Sequence, residues 1–93
     1  MGKYIINLSE KARKDLSKIH KSGDKKSIKR VEKIFDELQQ NPYEGTGKPE
    51  ALKHQYKGFY SRRINKKDRL IYEVKEQIVS IFIVSALGHY DDQ

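Results

Sequence analysis

The hydrophobic pattern of the first residues predicts a strand followed by a helix. Residues 4–8 are β-branched and aromatic and partly alternate with polar positions, which is typical of a strand. Ser9 has a hydroxyl suited to an N-cap, and apolar residues then recur at Ala12, Leu16 and Ile19. These spacings of four and three place one apolar stripe along a helix that begins after Ser9.

A second helix is predicted after a short break. Residues 22–24, with the sequence Ser-Gly-Asp, interrupt the first helix, and Asp24 has the side chain of an N-cap. Asn41 and Pro42 end the second helix, because proline disfavours the helical conformation in the residue before it. Between these limits runs a wider apolar stripe, formed by Ile28, Val31, Ile34, Phe35 and Leu38.

The second half of the chain changes to a period of two residues. A loop at 42–51 contains two glycines and two prolines. The last apolar segment is almost continuous, which indicates a central strand buried on both faces. Strands separated by short turns are predicted at 52–56, 59–64, 69–74 and 78–87.

These elements predict a single α+β domain over residues 1–93. We expect an N-terminal strand and a helical hairpin packed on an antiparallel sheet of about four to five strands. The helices would cover one face of this sheet and leave the other for a functional site. The N-terminal apolar run is too short for a signal peptide or a bilayer span. Since the chain also has no cysteine, we expect a cytoplasmic protein with no membrane insertion.

The charge of the chain indicates a polyanionic partner. Twenty Lys and Arg residues against 13 Asp and Glu give a formal net charge of +7, which suits a nucleic acid, an anionic membrane surface or an acidic protein. Ten of the cations lie in residues 11–33, which we call the basic helical segment, against three acidic residues. A solvated helix face is the preferred interpretation of this segment. Residues 44–76 carry nine basic and five acidic groups, interleaved with aromatic residues.

Several kinds of site are not expected. His20, His54 and His89 lack a short ligand spacing and no cysteine assists them, so we expect neither a zinc or iron site nor a cofactor. The serines lack the context of a serine-hydrolase nucleophile. Residues 45–48, Gly-Thr-Gly-Lys, precede a predicted strand rather than a helix, so they do not form a P-loop.

The remaining polar side chains fit the cleavage of RNA through its own 2′-OH without a metal. This reaction needs a base for the 2′-OH proton, cations for the charge of the phosphorane and an acid for the departing 5′-oxygen. Glu50 is the candidate base, His89 the candidate acid, and Lys53, Arg63 and Arg69 the candidate cations. A three-residue turn would place Arg63 beside Arg69 and a four-residue turn would separate them, so both arrangements stay open.

Each candidate also has a purely structural interpretation. Glu50 would form an ion pair with a neighbouring lysine, and His89 would be an exposed terminal side chain. The adjacent Arg62 and Arg63 would protect an exposed edge strand from aggregation. Three tyrosines fit half-buried sheet positions better than they fit base stacking, and these are Tyr56, Tyr60 and Tyr72.

The second half of the chain contains a long run of short motifs. They are P-Y-E-G-T-G-K-P-E at 42–50, L-K-H at 52–54, G-F-Y-S-R-R-I at 58–64, R-L-I-Y at 69–72 and H-Y at 89–90. Together they resemble one family of bacterial toxins, the Txe/YoeB family within the RelE/ParE superfamily. The helical hairpin agrees with this family in length and placement.

The resemblance implies the toxin of a type II toxin–antitoxin pair, a ribosome-dependent mRNA interferase with a microbial-ribonuclease-like fold. Such toxins cut mRNA in the ribosomal A site and leave a 2′,3′-cyclic phosphate. A YefM-like antitoxin neutralises them, and some relatives form homodimers. The family's functional residues fall on positions of this chain as follows: Glu50 as base, Arg69, Arg63 and Lys53 as cations, His89 as acid, Tyr90 against the substrate and His54 near the site.

Three departures from the family pattern accompany this match. Ala51 stands where relatives usually have proline, and Tyr60 where tryptophan is common. Residues 91–93 extend the chain beyond the usual His-Tyr end and place two carboxylates next to His89. Two other functions stay open from the sequence: a ParE-like toxin that poisons DNA gyrase by binding, and a basic nucleic-acid-binding module that acts only with its antitoxin.

Overall fold

The structure is a computed structural model that describes residues 3–53 and 56–87. Its two helices follow the first strand, and all the other strands come after them. The elements are β1 (Ile5–Leu8), α1 (Glu10–Ser22), α2 (Lys25–Gln40), β2 (Glu50–Ala51), β3 (Phe59–Arg63), β4 (Arg69–Lys75) and β5 (Ser80–Ser85).

Both helices begin at the predicted N-caps. The Ser9 side chain accepts a hydrogen bond from the backbone N–H of Ala12, and the Asp24 side chain accepts one from the N–H of Ser27. Gly23 ends α1 in the left-handed conformation that glycine adopts readily, with φ of 79°. The caps and the apolar stripes therefore fix the helical hairpin from local sequence.

The sheet has five strands in the order β1-β5-β4-β3-β2. Strands β2 to β5 form the predicted antiparallel meander. β1, however, pairs in parallel with β5, so the α+β class is confirmed and the expectation of an antiparallel sheet is wrong at this strand. A parallel pair needs a long connection, and here the two helices and three strands separate the partners.

Two predicted strands have different bounds in the structure. In place of the strand predicted at 52–56 the structure has the short β2 at Glu50–Ala51, and residues 54–55 of the predicted segment lie outside the described residues. The long strand predicted at 78–87 is reduced to β5, because Glu76–Ile78 form a 3-10 helix and Val79 takes a left-handed φ of 48°. Ile78 is therefore 58% exposed rather than part of a buried strand.

The main core lies between the helices and one face of the sheet. Ile34 and Leu38 of α2 are fully buried there, in one cluster with Leu70, Tyr72 and Ile83 of the sheet. Within the described residues, no helix is long and apolar enough to cross a bilayer. The opposite face of β2, β3 and β4 is free of the helices, and we call it the open face.

Candidate active site

The open face brings two of the predicted cations together. Residues alternate between the faces of a strand, so Ser61 and Arg63 of β3 and Arg69 of β4 lie on the open face, away from the buried Leu70 and Tyr72. Arg63 is the direct cross-strand partner of Arg69. Opposed residues have Cβ atoms about 5 Å apart. The question of register that the sequence left open is therefore settled in favour of adjacent arginines.

Glu50 lies on the same face at the edge of the sheet. β2 pairs Glu50 with Ser61, so Glu50 is a diagonal neighbour of Arg63, at about 7–8 Å between backbone positions. The side chains of Glu50 and Arg63 are exposed and that of Arg69 is partly so. A carboxylate and two guanidinium groups thus border one patch of the open face, in which Ser61 and Ile71 are buried.

Of the remaining predicted residues, Lys53 is the one that the structure describes. Lys53 follows β2 by two residues, is exposed, and accepts a backbone hydrogen bond from Tyr56. His54, His89 and Tyr90 fall outside the residues that the structure describes. Their predicted roles stay predictions.

The last described residues leave the sheet at the end that carries the arginine pair. Ser85 of β5 pairs with Ile71, two positions from Arg69. Beyond it, the Asp15 carboxylate of α1 accepts the backbone N–H groups of Ala86 at 3.1 Å and Leu87 at 3.3 Å. A buried carboxylate therefore fixes the direction in which the chain leaves β5.

Asp15 and Glu37 are two helix carboxylates whose pKa lies below its usual value. Burial alone would raise the pKa of Asp15, but hydrogen bonds from Lys11 and from the Ala86 backbone lower it further than burial raises it. For Glu37 the same balance holds: burial raises the pKa, and hydrogen bonds from Thr46 with the charge of Arg62 lower it more. Both groups are therefore held as carboxylates.

Arg62 differs from its neighbour Arg63 and was missed by the sequence argument. It is fully buried on the helix side of β3, and β3 is an internal strand between β2 and β4. The interpretation of the two arginines as guards of an edge strand is therefore wrong. Strand alternation contained the signal, since Arg62 falls between Tyr60 and Ile64 on the apolar side.

The tyrosines of the sheet act as structural residues. Tyr72 is fully buried, and its ring stacks on that of Tyr60 with centroids 5.9 Å apart. Tyr43 meets Tyr60 edge-on at 5.4 Å. The Tyr43 hydroxyl donates to Glu76, and burial together with this carboxylate raises the pKa of Tyr43. Since Tyr60 and Tyr72 face the helices, the sheet interpretation is confirmed for both.

Comparisons with known proteins agree on one family. Residues 8–90 match the family model described as a YoeB-like toxin of a bacterial type II toxin-antitoxin system. Over 67 residues the chain is 42% identical to a toxin YoeB of Escherichia coli O6:H1, which covers 72% of this chain and 77% of that protein.

Solved structures show the same similarity over nearly the whole chain. The YoeB dimer from Staphylococcus aureus superposes with a TM-score of 0.78 at 38% identity, covering 95% of this chain and 99% of that one. A heterotetrameric YoeB-YefM toxin-antitoxin complex from the same organism gives a TM-score of 0.76 at 39% identity, covering 94% and 98%.

Proposed function

This chain belongs to the family of YoeB-like toxins of bacterial type II toxin–antitoxin systems, and we propose that it acts as a ribosome-dependent endoribonuclease that cuts mRNA in the A site. The toxin would inhibit translation by this cleavage. The observation that carries the proposal is the open face, where Glu50 borders the opposed pair Arg63 and Arg69. Two like charges directly opposite each other destabilise a sheet, and an anion between them offsets that cost.

The reaction that this set supports begins at the ribose. Glu50 takes the proton of the 2′-OH, and the 2′-oxygen attacks the adjacent phosphorus. The phosphorane that forms carries extra negative charge on its oxygens, and Arg63 and Arg69 stabilise that charge as fixed cations. Lys53 supplies a third cation in this proposal.

The bond to the 5′-oxygen then breaks. His89 donates a proton to the departing oxygen, so the products are a 2′,3′-cyclic phosphate and a 5′-hydroxyl. Tyr90 contacts the substrate and His54 lies near the reacting groups in this proposal. In these reaction steps side chains accept and donate each proton and stabilise the charge of the phosphorane. The proposed reaction therefore requires no cofactor.

The proposed partners follow from the family and from the substrate. Two related structures from S. aureus are a YoeB-YefM complex and a YoeB dimer. For this chain we propose a YefM-like antitoxin as the neutralising partner, and a homodimer as a second assembly. Ribosome-bound mRNA as substrate places the toxin in the cytoplasm.

The proposal predicts a loss of cleavage when the base is removed. Glu50→Gln keeps the size of the side chain but cannot accept the 2′-OH proton, so we expect cleavage to fall by about 10²-fold or more. The matched control is Glu32→Gln, an exposed glutamate of α2 outside this loop, which should cut like the wild type. Primer extension on cellular mRNA after induction reports both the activity and the position of each cut.

The same experiment separates the other two functions. Full cleavage by Glu50→Gln would contradict the assignment of the base. Intact mRNA after induction of the wild type, together with loss of DNA supercoiling activity by gyrase, would replace the proposal with a ParE-like toxin. Unchanged growth on induction would indicate a nucleic-acid-binding module instead.

A further inference from the structure

A buried cation lies directly behind the proposed active site. Arg62 is 0% exposed and sits among Tyr72, Leu70 and the helices, on the face opposite to Arg63. A guanidinium in this position is tolerated only when its donors are all satisfied and its charge is balanced. The groups that hydrogen-bond to Arg62 therefore identify the part of the chain that this buried charge holds in place.

Three of the five partners of Arg62 are backbone carbonyl oxygens of one loop, residues 41–46. The charge is balanced by Glu37 of α2, whose Oε1 lies 2.8 Å from Arg62 Nη1. Tyr72 Oη, which accepts from Arg62 Nε at 3.1 Å, itself donates to the carbonyl of Pro42 at 2.7 Å. The other acceptors are the carbonyl oxygens of Glu44 at 2.7 Å, Asn41 at 3.3 Å and Thr46 at 3.5 Å.

Glu37 holds the same loop with its remaining acceptor sites. Its carboxylate accepts from the backbone N–H of Thr46 at 2.7 Å and from the Thr46 hydroxyl at 2.8 Å. Gly45 packs so closely that an added Cβ would overlap the Glu37 carboxylate, and its φ of 126° is one that only glycine adopts easily. Residues 41–46 of the loop are therefore fixed by hydrogen bonds and close packing against the Glu37–Arg62 pair.

The same loop leads from Thr46, which binds Glu37, to Glu50 on the open face in four residues. The carbonyl of Gly47 accepts from the backbone N–H of Arg63 at 2.8 Å, and a Cβ on Gly47 would collide with the Arg63 backbone. Lys48 then takes a left-handed φ of 52°, and Glu50 pairs with Ser61. The Arg62 side chain thus binds the loop on the helix side of the sheet, and the Arg63 backbone N–H binds it at the end of β3.

We propose that the Glu37–Arg62 pair positions Glu50 for catalysis, so that a helix carboxylate on the far side of the sheet controls the rate of RNA cleavage. This inference rests on the proposed function. Neither residue touches the substrate, and both are positioning residues that act through the loop at 41–47. Because a displacement of about 1 Å can cost 10²-fold in rate, a loosened loop should lower kcat and leave KM nearly unchanged.

The test compares Glu37→Gln with Ile34→Val in ribosome-dependent cleavage. Glu37→Gln removes the charge that balances Arg62, and we expect kcat to fall by about 10- to 100-fold while KM changes by less than about threefold. Ile34→Val is the matched control, because Ile34 is fully buried one turn earlier on the same helix and its side chain has no group that could hydrogen-bond to the loop. It should lower the melting temperature and leave kcat unchanged.

Two further measurements separate positioning from stability. Glu37→Gln should speed hydrogen exchange at the Arg63 amide, which the Gly47 carbonyl accepts, and Ile34→Val should not. Combined with Glu50→Gln, the Glu37→Gln change should produce little further loss, because both act on one group. If Glu37→Gln fails to fold, Thr46→Val removes one hydroxyl bond to Glu37 and should lower kcat by about threefold or more.

The outcomes distinguish this inference from the proposed function. Equal kcat in Glu37→Gln and wild type, or an additive effect in the Glu50→Gln background, would overturn the positioning role while the toxin remained a ribonuclease. A wild-type protein that leaves ribosome-bound mRNA intact would overturn the proposed function and this inference with it.

Discussion

At the scale of single residues, the two adjacent arginines show how strand alternation divides one motif into two tasks. Arg62 is fully buried against Glu37 and supports a loop. Arg63 is exposed on the open face opposite Arg69. The same side-chain chemistry thus serves structure on one face of β3 and, in our proposal, phosphate binding on the other.

This division predicts that two alanine substitutions affect different properties, stability for Arg62 and cleavage for Arg63. Arg62→Ala leaves Glu37 without its cation and opens the core, so the free energy of unfolding should fall by about 3–5 kcal/mol. Arg63→Ala removes an exposed charge and relieves repulsion from Arg69, so stability should change by less than about 0.5 kcal/mol while cleavage is lost. Urea denaturation and a cleavage assay measure both. Equal destabilisation by the two variants would contradict the assignment.

The sequence predicts which residues form the candidate site better than it predicts how they are arranged. Glu50, Arg63 and Arg69 could be nominated from the chemistry of RNA cleavage and from the motifs that contain them. The buried state of Arg62 required knowledge of which strand face meets the helices. The ion pair with Glu37 joins residues 25 positions apart, and no local pattern encodes such a contact.

At the scale of elements, two helix carboxylates, one buried and one partly exposed, join the helical hairpin to irregular backbone elsewhere. Glu37 of α2 binds the loop before β2, and Asp15 of α1 binds the backbone that follows β5. Asp15 also accepts from Lys11 at 2.6 Å. Each contact satisfies backbone N–H groups that no strand partner takes.

These two carboxylates predict a loss of stability in acid. A group whose pKa is lowered in the folded state stabilises the fold above its unfolded pKa, about 3.9 for Asp and 4.3 for Glu. That contribution is lost as the pH falls through the folded value. We therefore expect the free energy of unfolding to fall below about pH 4, as measured by urea denaturation across pH.

A single substitution assigns part of this acid effect. Asp15→Asn should destabilise the protein at pH 6 and flatten the decline below pH 4. The exposed Asp36→Asn serves as the control for the loss of one carboxylate on a helix. An unchanged decline in Asp15→Asn would show that this group does not carry the effect.

Helices were easier to predict than strands because their signals are local. Ser9 and Asp24 cap the helices as expected, and the apolar stripes face the sheet. The sequence does not locate β2, because its two residues become a strand only by pairing with Ser61 and Tyr60 of β3. The apolar pattern predicts a strand at Ile78, but the chain turns there in a 3-10 helix.

At the scale of the whole molecule, the sheet separates the helices, which pack on one of its faces, from the proposed active site on the other. The helices pack on one face, the proposed site lies on the other, and β5 ends beside the arginine pair. The parallel pairing of β1 with β5 was not predictable, since the partners are about 75 residues apart in sequence and alternation is the same in both directions.

The net charge of +7 predicts a general attraction to the ribosome that is separate from catalysis. Replacing the exposed Lys14, Lys18 and Lys21 of the basic helical segment by Gln should weaken binding at low salt and reduce its salt dependence. The single-turnover cleavage rate of bound toxin should not change. A loss of that rate would place these lysines in the active site.

The most direct test of the central claim uses the substrate rather than the protein. Ribosomes programmed with an mRNA that carries one 2′-deoxynucleotide at the cleavage position should bind the toxin normally and remain uncut, since the attacking oxygen is absent. The matched all-ribose mRNA should be cut to a 2′,3′-cyclic phosphate and a 5′-hydroxyl. Cleavage of the deoxy-substituted mRNA at that position would contradict attack by the 2′-OH and the role proposed for Glu50.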